Sequence, residues 1–481
     1  MAGLFHTLEI AGRALAVTQS GIHVTSHNVA NVETPGYSRQ RQILAAGNPI
    51  ESGSGAIGTG VEQLGIERIA DTLLLRQLAT EDARAASLGV QGDALARIEE
   101  IWNEQARPGL GARVAGLFDA FEDLAASATP GAPVEREAVR AAAELLVDTI
   151  READAELRSL QGEADRAARV MLGTINELAQ RIADLNGEIV RAEAFGPAND
   201  LRDRRDVLLR ELARKVEITS FEQPDGGVVV LVGRGLALVE GTHARSLVAA
   251  DDPTHPFDPS FASIQFDTGS GWIDVTDAIG NGELGGWLVV RDELTANAIR
   301  ELDAFAYNVA ARVNEVHAAG VGLDGSSGDF FAMPAGVEDT ARNFALAPAV
   351  EASADAIAAG LGTDPGDNRN ALALAALRNQ AAPVFLPGDA PGAPSGPSRT
   401  LLDHVAATVG RIGTEVSALA TERASQDRVL QQLENRRDSL SGVSIDEEMV
   451  QLLRLEAAYQ ANARVIQSLD RLLDTVVSML R

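Results

Sequence analysis

The C-terminal end of the chain, from Ser441 onward, carries hydrophobic side chains at the spacing of a coiled coil. Counting from Ile445 in alternating steps of three and four residues, nearly every position reached is apolar. The positions of this C-terminal seam are Glu448, Leu452, Leu455, Tyr459, Asn462, Ile466, Leu469, Leu473 and Val476. Only Glu448 and Asn462 depart from the pattern, which predicts a long α-helix with one narrow hydrophobic stripe. Such a stripe needs a partner helix.

The N-terminal end has a weaker seam of the same period. Its positions are Leu4, Leu8, Ala11, Leu15, Thr18, Ile22, Thr25 and Val29. Chain ends are usually the least structured parts of a domain, so two terminal helices with a hydrophobic edge are unusual. Either each helix packs on an ordinary globular core, or the two ends pair with each other and with neighbouring subunits. Periodicity alone leaves both hypotheses open.

Between the two ends, long helical patterns flank a stretch with strand signals. A heptad-like pattern at 150–189 predicts a long helix in a bundle. From 216 to 287, β-branched runs and a Pro-Asp-Gly-Gly turn indicate strands, and the glycines of 280–286 continue this pattern. Helical periodicity returns at 294–316, and a last long helix is predicted from Thr400. The predicted fold class is mainly α with a β insert, in which the chain leaves a bundle of long helices and re-enters it.

Three shorter segments complete the secondary-structure prediction. Residues Gly47–Gly60 are rich in glycine, serine and proline, and we predict a mobile loop there. The segment Val61–Ile69 is predicted to form a short strand, and Asn370–Asn379 a short helix.

The composition of the 481 residues narrows the classes of function. The formal net charge is −28 and Lys215 is the only lysine. Nucleic-acid phosphates are negatively charged, and a surface that binds them would have to form against the negative electrostatic field of the chain. No nucleic-acid partner is therefore expected. The absence of cysteine excludes disulfides, thiolate metal sites and cysteine nucleophiles. No stretch approaches the ~18 apolar residues that span a bilayer, and no secretory signal pattern occurs, so these features alone predict a cytoplasmic protein.

No arrangement of residues points to catalysis, a cofactor or a metal ion. His23 and His27 have the spacing of two metal ligands on a helix, but no third ligand accompanies them, and we interpret them as solvated. The acidic runs at 324–329 and 364–370 lack the spacing of a calcium loop and are interpreted as turns. A carboxylate pair of the glycoside-hydrolase type leaves little trace in one sequence, so a hydrolase is the alternative from another class. We predict no catalytic, cofactor-binding or metal-binding residues.

Two blocks at opposite ends of the chain resemble one protein family. The first, Ser26–Gln40, contains Asn-x-x-Asn-x-x-Thr-Pro-Gly-Tyr, a sequence that favours the end of a helix followed by a tight turn. The second is Ser441–Ile466. Together, and in this order, they resemble the terminal signatures of the bacterial flagellar rod, hook and hook-associated proteins. The region Asp303–Phe331 also resembles the central part of the FlgK type of hook-associated protein.

The resemblance implies a structural protein of the bacterial flagellum at the junction between hook and filament. It implies a terminal coiled-coil assembly domain (1–60 with 441–481), a discontinuous helical bundle (61–215 with 288–440) and a β-rich outer domain (216–287). Members of this family leave the cell unfolded through the flagellum's own export channel. The implied location is therefore extracellular, in the flagellum and without a cleaved signal peptide, which replaces the cytoplasmic prediction. A rod or hook subunit is the alternative within the same class.

The resemblance also implies the partners and the surface that contacts them. The partners are copies of the chain in a ring or tube, hook subunits, the next hook-associated protein, and a cytoplasmic export chaperone on the C-terminal helix. The predicted assembly residues are Leu4, Leu8, Leu15, Ile22, Asn28, Asn31, Thr34, Pro35, Gly36, Tyr37, Leu452, Leu455, Tyr459, Asn462, Ile466, Leu469, Leu473 and Val476. Tyr459 and Asn462 have a compatible second interpretation, as a core tyrosine and an asparagine that sets helix register. We expect both ends to be largely disordered in the free monomer and to fold as they assemble.

Overall fold

The computed structural model describes residues 2–52, 55–102, 108–129 and 131–479. Within these ranges the chain is mostly helical. The α-helices are α1 (Ala2–Ala30), α2 (Thr72–Trp102), α3 (Leu110–Ala126), α4 (Pro133–Glu193), α5 (Asn199–Lys215), α6 (Gly282–Val289), α7 (Thr295–His317), α8 (Pro348–Ala352), α9 (Arg369–Ala376), α10 (Leu401–Ser441) and α11 (Ile445–Met479). A π-helical turn, Val290–Leu294, joins α6 to α7, and 3-10 turns lie at Thr276–Ala278, Ala354–Ala356 and Leu377–Asn379.

The strands are short, and all their pairings are antiparallel. They are β1 (Gln40–Ala46), β2 (Ile50–Ser52), β3 (Gly55–Ile57), β4 (Val61–Arg68), β5 (Ile218–Glu222), β6 (Val228–Val232), β7 (Leu236–Glu240), β8 (His243–Ala244), β9 (Leu247–Asp251), β10 (Ala262–Asp267), β11 (Trp272–Asp274), β12 (Ala382–Pro383) and β13 (Ser398–Arg399). The sheets among these strands are the pairs β1–β4, β2–β3 and β12–β13, a four-stranded sheet in the order β5-β6-β7-β8, and a three-stranded sheet in the order β11-β10-β9. The predicted fold class, mainly α with a β insert, is confirmed.

The long helices begin and end at the residues that favour such boundaries. Helix α4 has 61 residues, so it is about 90 Å long, and it ends just before the Phe195-Gly-Pro sequence. Helix α10 begins after Thr400, whose hydroxyl accepts a hydrogen bond from the amide N–H of Asp403 at 3.0 Å, as an N-cap residue does.

The two chain ends pack against each other as antiparallel helices. Asn28 on α1 is hydrogen-bonded to Glu448 on α11, and Gly21 of α1 faces Leu455 of α11. Gly21 comes seven residues before Asn28, whereas Leu455 comes seven residues after Glu448, so the two helices run in opposite directions. A Cβ at Gly21 would lie 3.0 Å from the Leu455 side chain, so a glycine there lets the two helices approach closely.

A β-ribbon, formed by β1 and β4, packs on another side of α1. The side chain of Gln42 donates a hydrogen bond to the backbone carbonyl of Val17 at 3.0 Å, and Gly60 lies against Ile10. The strand predicted at 61–69 is confirmed as β4. The loop predicted at Gly47–Gly60 is wrong in part, because β2 and β3 pair there, with Ile50 opposite Ile57. The glycine and serine content of this segment concealed the strand signal; residues 53 and 54 lie outside the described part of the chain.

The larger hydrophobic core belongs to the helical bundle. It is formed by α3, α7, α9, the second half of α2, the first half of α4, the start of α10 and the segment before α8. Phe331 and Phe344 of that segment stack with ring centroids 4.8 Å apart, and Phe330 packs edge-on against Phe121 of α3. The short helix predicted at 370–379 is present as α9 and the 3-10 turn that follows it.

A second core joins the β strands to the second half of α4. It contains Ile175 and Ile182 of α4, Leu212 of α5, Val230 of β6 and Leu284 of α6. The prediction that the glycines at 280–286 belong to a strand region is wrong, because α6 begins at Gly282. These glycines serve close helix packing instead: a Cβ at Gly286 would lie 3.0 Å from the carbonyl oxygen of Ser87 on α2.

A buried polar cluster lies between the two cores, where α4 passes the π-helical turn. The guanidinium of Arg291 donates to the carboxylate of Asp165 at 2.8 Å and to the carbonyl of Ala262 at 2.7 Å. The side chain of Gln161 donates to the carbonyl of Arg291 at 2.9 Å. The π-helical turn thus places a fully buried arginine against the middle of α4.

Candidate assembly interface

The C-terminal seam forms the covered side of α11. Glu448 and Leu469 are buried, and the other seam positions, Leu452, Leu455, Tyr459, Asn462, Ile466, Leu473 and Val476, are half-buried. With the exception of Ala463, the remaining described residues of α11 are exposed. The single chain therefore covers only part of the stripe.

On α1, the small members of the N-terminal seam are the ones fully covered. Ala11, Thr18 and Thr25 are buried, whereas the bulkier Leu4, Leu8, Leu15 and Ile22 are half-buried. Contact between α1 and α11 is thus close at the small residues, while the large aliphatic side chains extend to the edges of the pair. Those edges are where a further helix could pack.

Asn28 is the centre of a hydrogen-bond network at one end of the helix pair. Its amide nitrogen donates to the carbonyl of Gln40 at 2.9 Å and to the Glu448 carboxylate at 3.0 Å. Its amide oxygen accepts from the backbone N–H of Gln40 at 3.0 Å and from the Tyr37 hydroxyl at 2.8 Å. All four hydrogen-bonding positions of this buried side chain are thus used, as a buried polar group requires.

Arg39 connects the same network to the start of α11. Its side chain donates to Glu448 at 2.7 Å and to Glu447 at 3.1 Å, and its backbone N–H donates to the carbonyl of Ser441 at 2.9 Å. The residues Asn28, Tyr37, Arg39 and Glu448 are called the basal network below. Glu448 is only 2% exposed, so its carboxylate is stabilised by hydrogen bonds from Arg39 and Asn28 rather than by water.

The other predicted residues of the N-terminal signature shape the turn after α1. Asn31 donates to the carbonyl of His27 at 3.0 Å, and the hydroxyl of Thr34 donates to Asn31 at 3.1 Å, which closes the end of the helix. Gly36 has a φ of 80°, and a Cβ there would collide with the side chain of Val207 on α5. Pro35 is exposed beside it. A glycine is therefore required at 36 for both conformation and space.

This turn docks on α5 through buried charges. The backbone N–H of Ser38 donates to the carboxylate of Asp203 at 2.9 Å, and Arg68 of β4 pairs with Asp203 at 2.8 Å and Asp206 at 2.6 Å. Burial raises the pKa of the Asp206 carboxyl, although Arg68 opposes this shift. Burial also raises the pKa of the Tyr37 hydroxyl, and Asp200, Asp203 and Glu448 add to the effect, so the phenol stays neutral and donates to Asn28.

The predicted assembly residues therefore lie in two regions. The C-terminal seam lies on the covered side of α11, and α1 meets it at Gly21 and Asn28. The signature residues Asn28 to Tyr37 lie at its base, where the pair meets α5 and the end of α10. Clefts of about 510 and 600 Å³ open beside the Pro35–Tyr37 turn. The base of the pair is thus held mainly by directed polar contacts rather than by dense apolar packing.

Two features of this site were not predicted from the sequence. One is the role of Arg39 and Asp203, which no sequence spacing connects to the seam. The other is a second, uncovered stripe on α11, here called the outer face: Val450, Arg454, Ala457, Ala461, Val465 and Leu472, all exposed. The spacing of these residues, in steps of three, four and seven, places them on one side of a helix and could have been used to predict the outer face. The C-terminal seam is more apolar and dominated the interpretation of this segment.

Neither a cluster of metal ligands nor a membrane-spanning helix occurs in the described part of the chain. They contain no group of three or more histidine, aspartate or glutamate side chains arranged to hold a metal ion. Among the helices described, none is both long enough and apolar enough to cross a lipid bilayer.

Known proteins match the chain along nearly its whole length. A family model described as "Flagellar hook-associated protein FlgK helical domain" matches residues 95–331, and one described as "Flagellar basal body rod FlgEFG protein C-terminal" matches residues 437–479. Flagellar hook-associated protein 1 of Bacillus subtilis (strain 168) is 27% identical over 514 residues, covering 99% of both chains. The protein of the same name from Escherichia coli (strain K12) is 25% identical over 552 residues, covering 97% of this chain and 98% of the relative.

A solved structure has the same fold. The flagellar hook junction protein FlgK from Burkholderia pseudomallei aligns with a TM-score of 0.65 at 17% sequence identity, covering 76% of this chain and 100% of that one. The family resemblance inferred from the two terminal signatures is confirmed by the sequence matches: the chain is similar, over nearly its whole length, to the FlgK-type flagellar hook-associated proteins.

Proposed function

We propose that the chain is a structural adaptor between the hook and the filament of a bacterial flagellum. The full-length similarity to proteins named flagellar hook-associated protein 1 supports this assignment. The observation that carries the mechanism is the incomplete cover of α11, which has a half-buried seam on one side and an exposed outer face on another. A helix with two incompletely buried faces is suited to assembly with other subunits.

Assembly couples to the folding of the chain ends. Five aliphatic residues of the C-terminal seam, Leu452, Leu455, Ile466, Leu473 and Val476, remain half-buried in the single chain. Full burial of such a side chain contributes about 1.5–3 kcal/mol, so each would gain roughly 1 kcal/mol when neighbouring helices cover it. The gain is available only in the assembly, and it offsets the entropy lost when the ends become ordered.

The partners follow from this geometry and from the family. Each subunit contacts the next through different surfaces, so the interface is heterologous and repeats around a ring or along a helical tube. Hook subunits on one side and the next hook-associated protein on the other complete the junction. Before export through the flagellar channel, a cytoplasmic chaperone covers the α11 stripe as a helix in a groove. The assembled protein is extracellular.

Deleting residues 452–481 tests this function. The two main cores contain no residue of α11, so the truncated chain should keep a folded bundle and folded β strands by circular dichroism and limited proteolysis. Cells that express it should make hooks without junctions and without attached filaments, as seen by electron microscopy.

A matched pair of substitutions controls for general effects of added charge. Ile466→Glu places a carboxylate in the seam, and Gln467→Glu places the same group at the neighbouring exposed position. We expect filament attachment to fail for Ile466→Glu and to persist for Gln467→Glu. Normal filaments on cells that express the 452–481 deletion would contradict the proposed function.

Two alternative functions, an axial subunit of the rod or hook and a wall-cleaving hydrolase, predict different experimental results. A rod or hook subunit would be found along those structures, so immuno-gold labelling of isolated flagella distinguishes it from a protein confined to the hook–filament boundary. A wall-cleaving hydrolase would release soluble fragments from peptidoglycan, which a turnover assay on the purified chain detects.

A further inference from the structure

We propose that the outward side of the β1–β4 ribbon of one subunit packs on the outer face of α11 in a second copy of the chain. This inference rests on the proposed function, and it specifies which two surfaces meet. The ribbon's outward side, here called the ribbon face, is formed by Arg41, Ile43, Glu62, Leu64 and Glu67.

The strand alternation shows that the ribbon face points away from α1. Gln42 reaches the backbone of α1, and its side chain also donates to that of Gln63 at 3.1 Å, so both residues are on the inner side. Across the strands Arg41 pairs with Glu67, Ile43 with Gly65 and Ala45 with Glu62, so the outward side opposite Gln42 carries Arg41, Ile43, Glu62 and Glu67. Leu64 is the extra residue where the register shifts, and its high exposure shows that α1 does not cover it. Leu64 is 66% exposed and Ile43 is 37% exposed.

The ribbon face is both apolar and acidic. Arg41 pairs with Glu67 across the two strands, whereas Glu62 has no ion-pair partner among the described residues. A two-stranded ribbon has little stability of its own, and Leu64 and Ile43 leave apolar surface on this one uncovered. A protein surface that covered these side chains would stabilise the ribbon.

The outer face of α11 has the opposite charge. Val465 and Leu472 on this face are 43% and 50% exposed, and its alanines at 457 and 461 leave a shallow surface. Arg454 lies on the face, and Arg464 and Arg471 lie along its edge; none of the three has an ion-pair partner within the described part of the chain. Three unpaired arginines in a chain with a net charge of −28 form a local basic stripe.

The two faces agree in spacing as well as in charge. Arg454 and Arg464 are ten residues apart on a helix, which is about 15 Å along its axis. Glu62 and Glu67 lie opposite Ala45 and Arg41, which are four residues apart on β1, or about 13 Å. Each face points away from the α1 helix that its own element packs on, so one chain cannot join its own two faces. A second copy supplies the missing surface.

A charge exchange tests this contact in the full-length chain. Glu62→Arg alone, and Arg454→Glu with Arg464→Glu, each place like charges opposite one another, which opposes docking. We expect each variant to reduce the amount of chain in isolated hook–filament structures by at least about tenfold. The combined triple variant should restore it to within about twofold of wild type. Glu188→Arg, which adds the same charge to an exposed position of α4, should have no effect.

Crosslinking provides a second measurement that does not depend on folding after charge reversal. The chain has no cysteine, so Leu64→Cys can be combined with Ala457→Cys, Ala461→Cys or Val465→Cys without background. At least one combination should give a disulfide-linked dimer in assembled flagella and none in dilute monomer, while Leu64→Cys with Ala420→Cys on α10 should give none. Wild-type incorporation of the charge variants, failure of the triple variant to recover, or absence of every crosslink in normally assembled flagella would overturn this contact and leave the junction function intact.

Discussion

At the scale of single residues, His404 is a buried side chain that hydrogen bonds do not satisfy. It lies on α10 and stacks on Phe305 of α7, with centroids 6.1 Å apart and rings 10° from parallel. Neither ring nitrogen has a hydrogen-bond partner among the residues that the structure describes. Burial, aided by Arg399 and Arg312, lowers the pKa of His404 to about 4. The folded bundle therefore holds this imidazole neutral at neutral pH.

Replacing this histidine should remove part of the chain's sensitivity to acid. Because the folded pKa lies below the ordinary value of 6.5, neutral His404 favours the folded state above about pH 6.5, and this advantage is lost as the pH falls toward 4. The loss amounts to about 3 kcal/mol at most. In denaturant unfolding, His404→Phe should lose less stability than wild type between pH 6.5 and pH 4.

An exposed histidine provides the control for this experiment. His243→Phe makes the same substitution at an exposed position, and it should not reproduce the change expected for His404→Phe. His317 titrates in both proteins; burial lowers its pKa, and it is hydrogen-bonded to Gly328 and Ala358. Its contribution therefore cancels in the comparison. If His404→Phe loses as much stability as wild type over this pH range, the description of His404 is wrong.

At the scale of elements, periodicity in the sequence predicted the helices and their covered sides well. The seam from Glu448 to Val476 coincides with the less exposed side of α11 because a heptad pattern records directly which positions face a partner. Contacts between polar residues that are far apart in the chain produce no comparable pattern in the sequence. Asn28 and Glu448 are 420 residues apart in sequence, and only the antiparallel register of α1 and α11 brings them together.

Glu447 and Glu448 allow the basal network to be tested with a matched pair of substitutions. Both carboxylates pair with Arg39, but Glu448 is buried, while the Glu447 side chain is 66% exposed. Glu448→Ala removes the buried carboxylate that accepts hydrogen bonds from Asn28 and Arg39, which typically costs about 1–3 kcal/mol. Glu447→Ala removes an exposed ion pair, which is worth at most about 1 kcal/mol.

Amide hydrogen exchange of residues 28–40 in assembled flagella measures the difference. We expect faster exchange at Arg39, whose N–H donates to Ser441, in Glu448→Ala, and near wild-type exchange in Glu447→Ala. Equal exchange rates at Arg39 in the two variants would mean that the buried carboxylate does not stabilise the base of the helix pair.

At the scale of the whole molecule, two hydrophobic cores share one helix. The sequence predicted α4 as one long bundle helix, because the heptad pattern continues from Ile150 to Ile189 without a break. It did not predict that the first half of α4 packs in one core and the second half in another. At this boundary α4 carries two buried polar residues, Gln161 and Asp165, whose partner Arg291 is more than a hundred residues away in sequence.

The terminal helix pair lies outside both cores. Neither core includes a described residue of α1 or α11, so the stability of the pair depends on its own contacts, on the basal network and on neighbouring subunits. Local stability within one protein ranges from almost zero to that of the whole fold, and segments with few buried apolar contacts lie at the low end. The two ends can therefore gain order on assembly while the rest of the chain is already folded.

The most direct test of this account compares amide hydrogen exchange in the free full-length chain with exchange in isolated hook–filament structures. We predict that α1 and α11 exchange rapidly in the dilute free chain while the centres of α4 and α7 stay protected, and that all four helices are protected after assembly. If α1 and α11 of the free chain are already protected as strongly as α4, assembly does not order the chain ends and the central claim is contradicted.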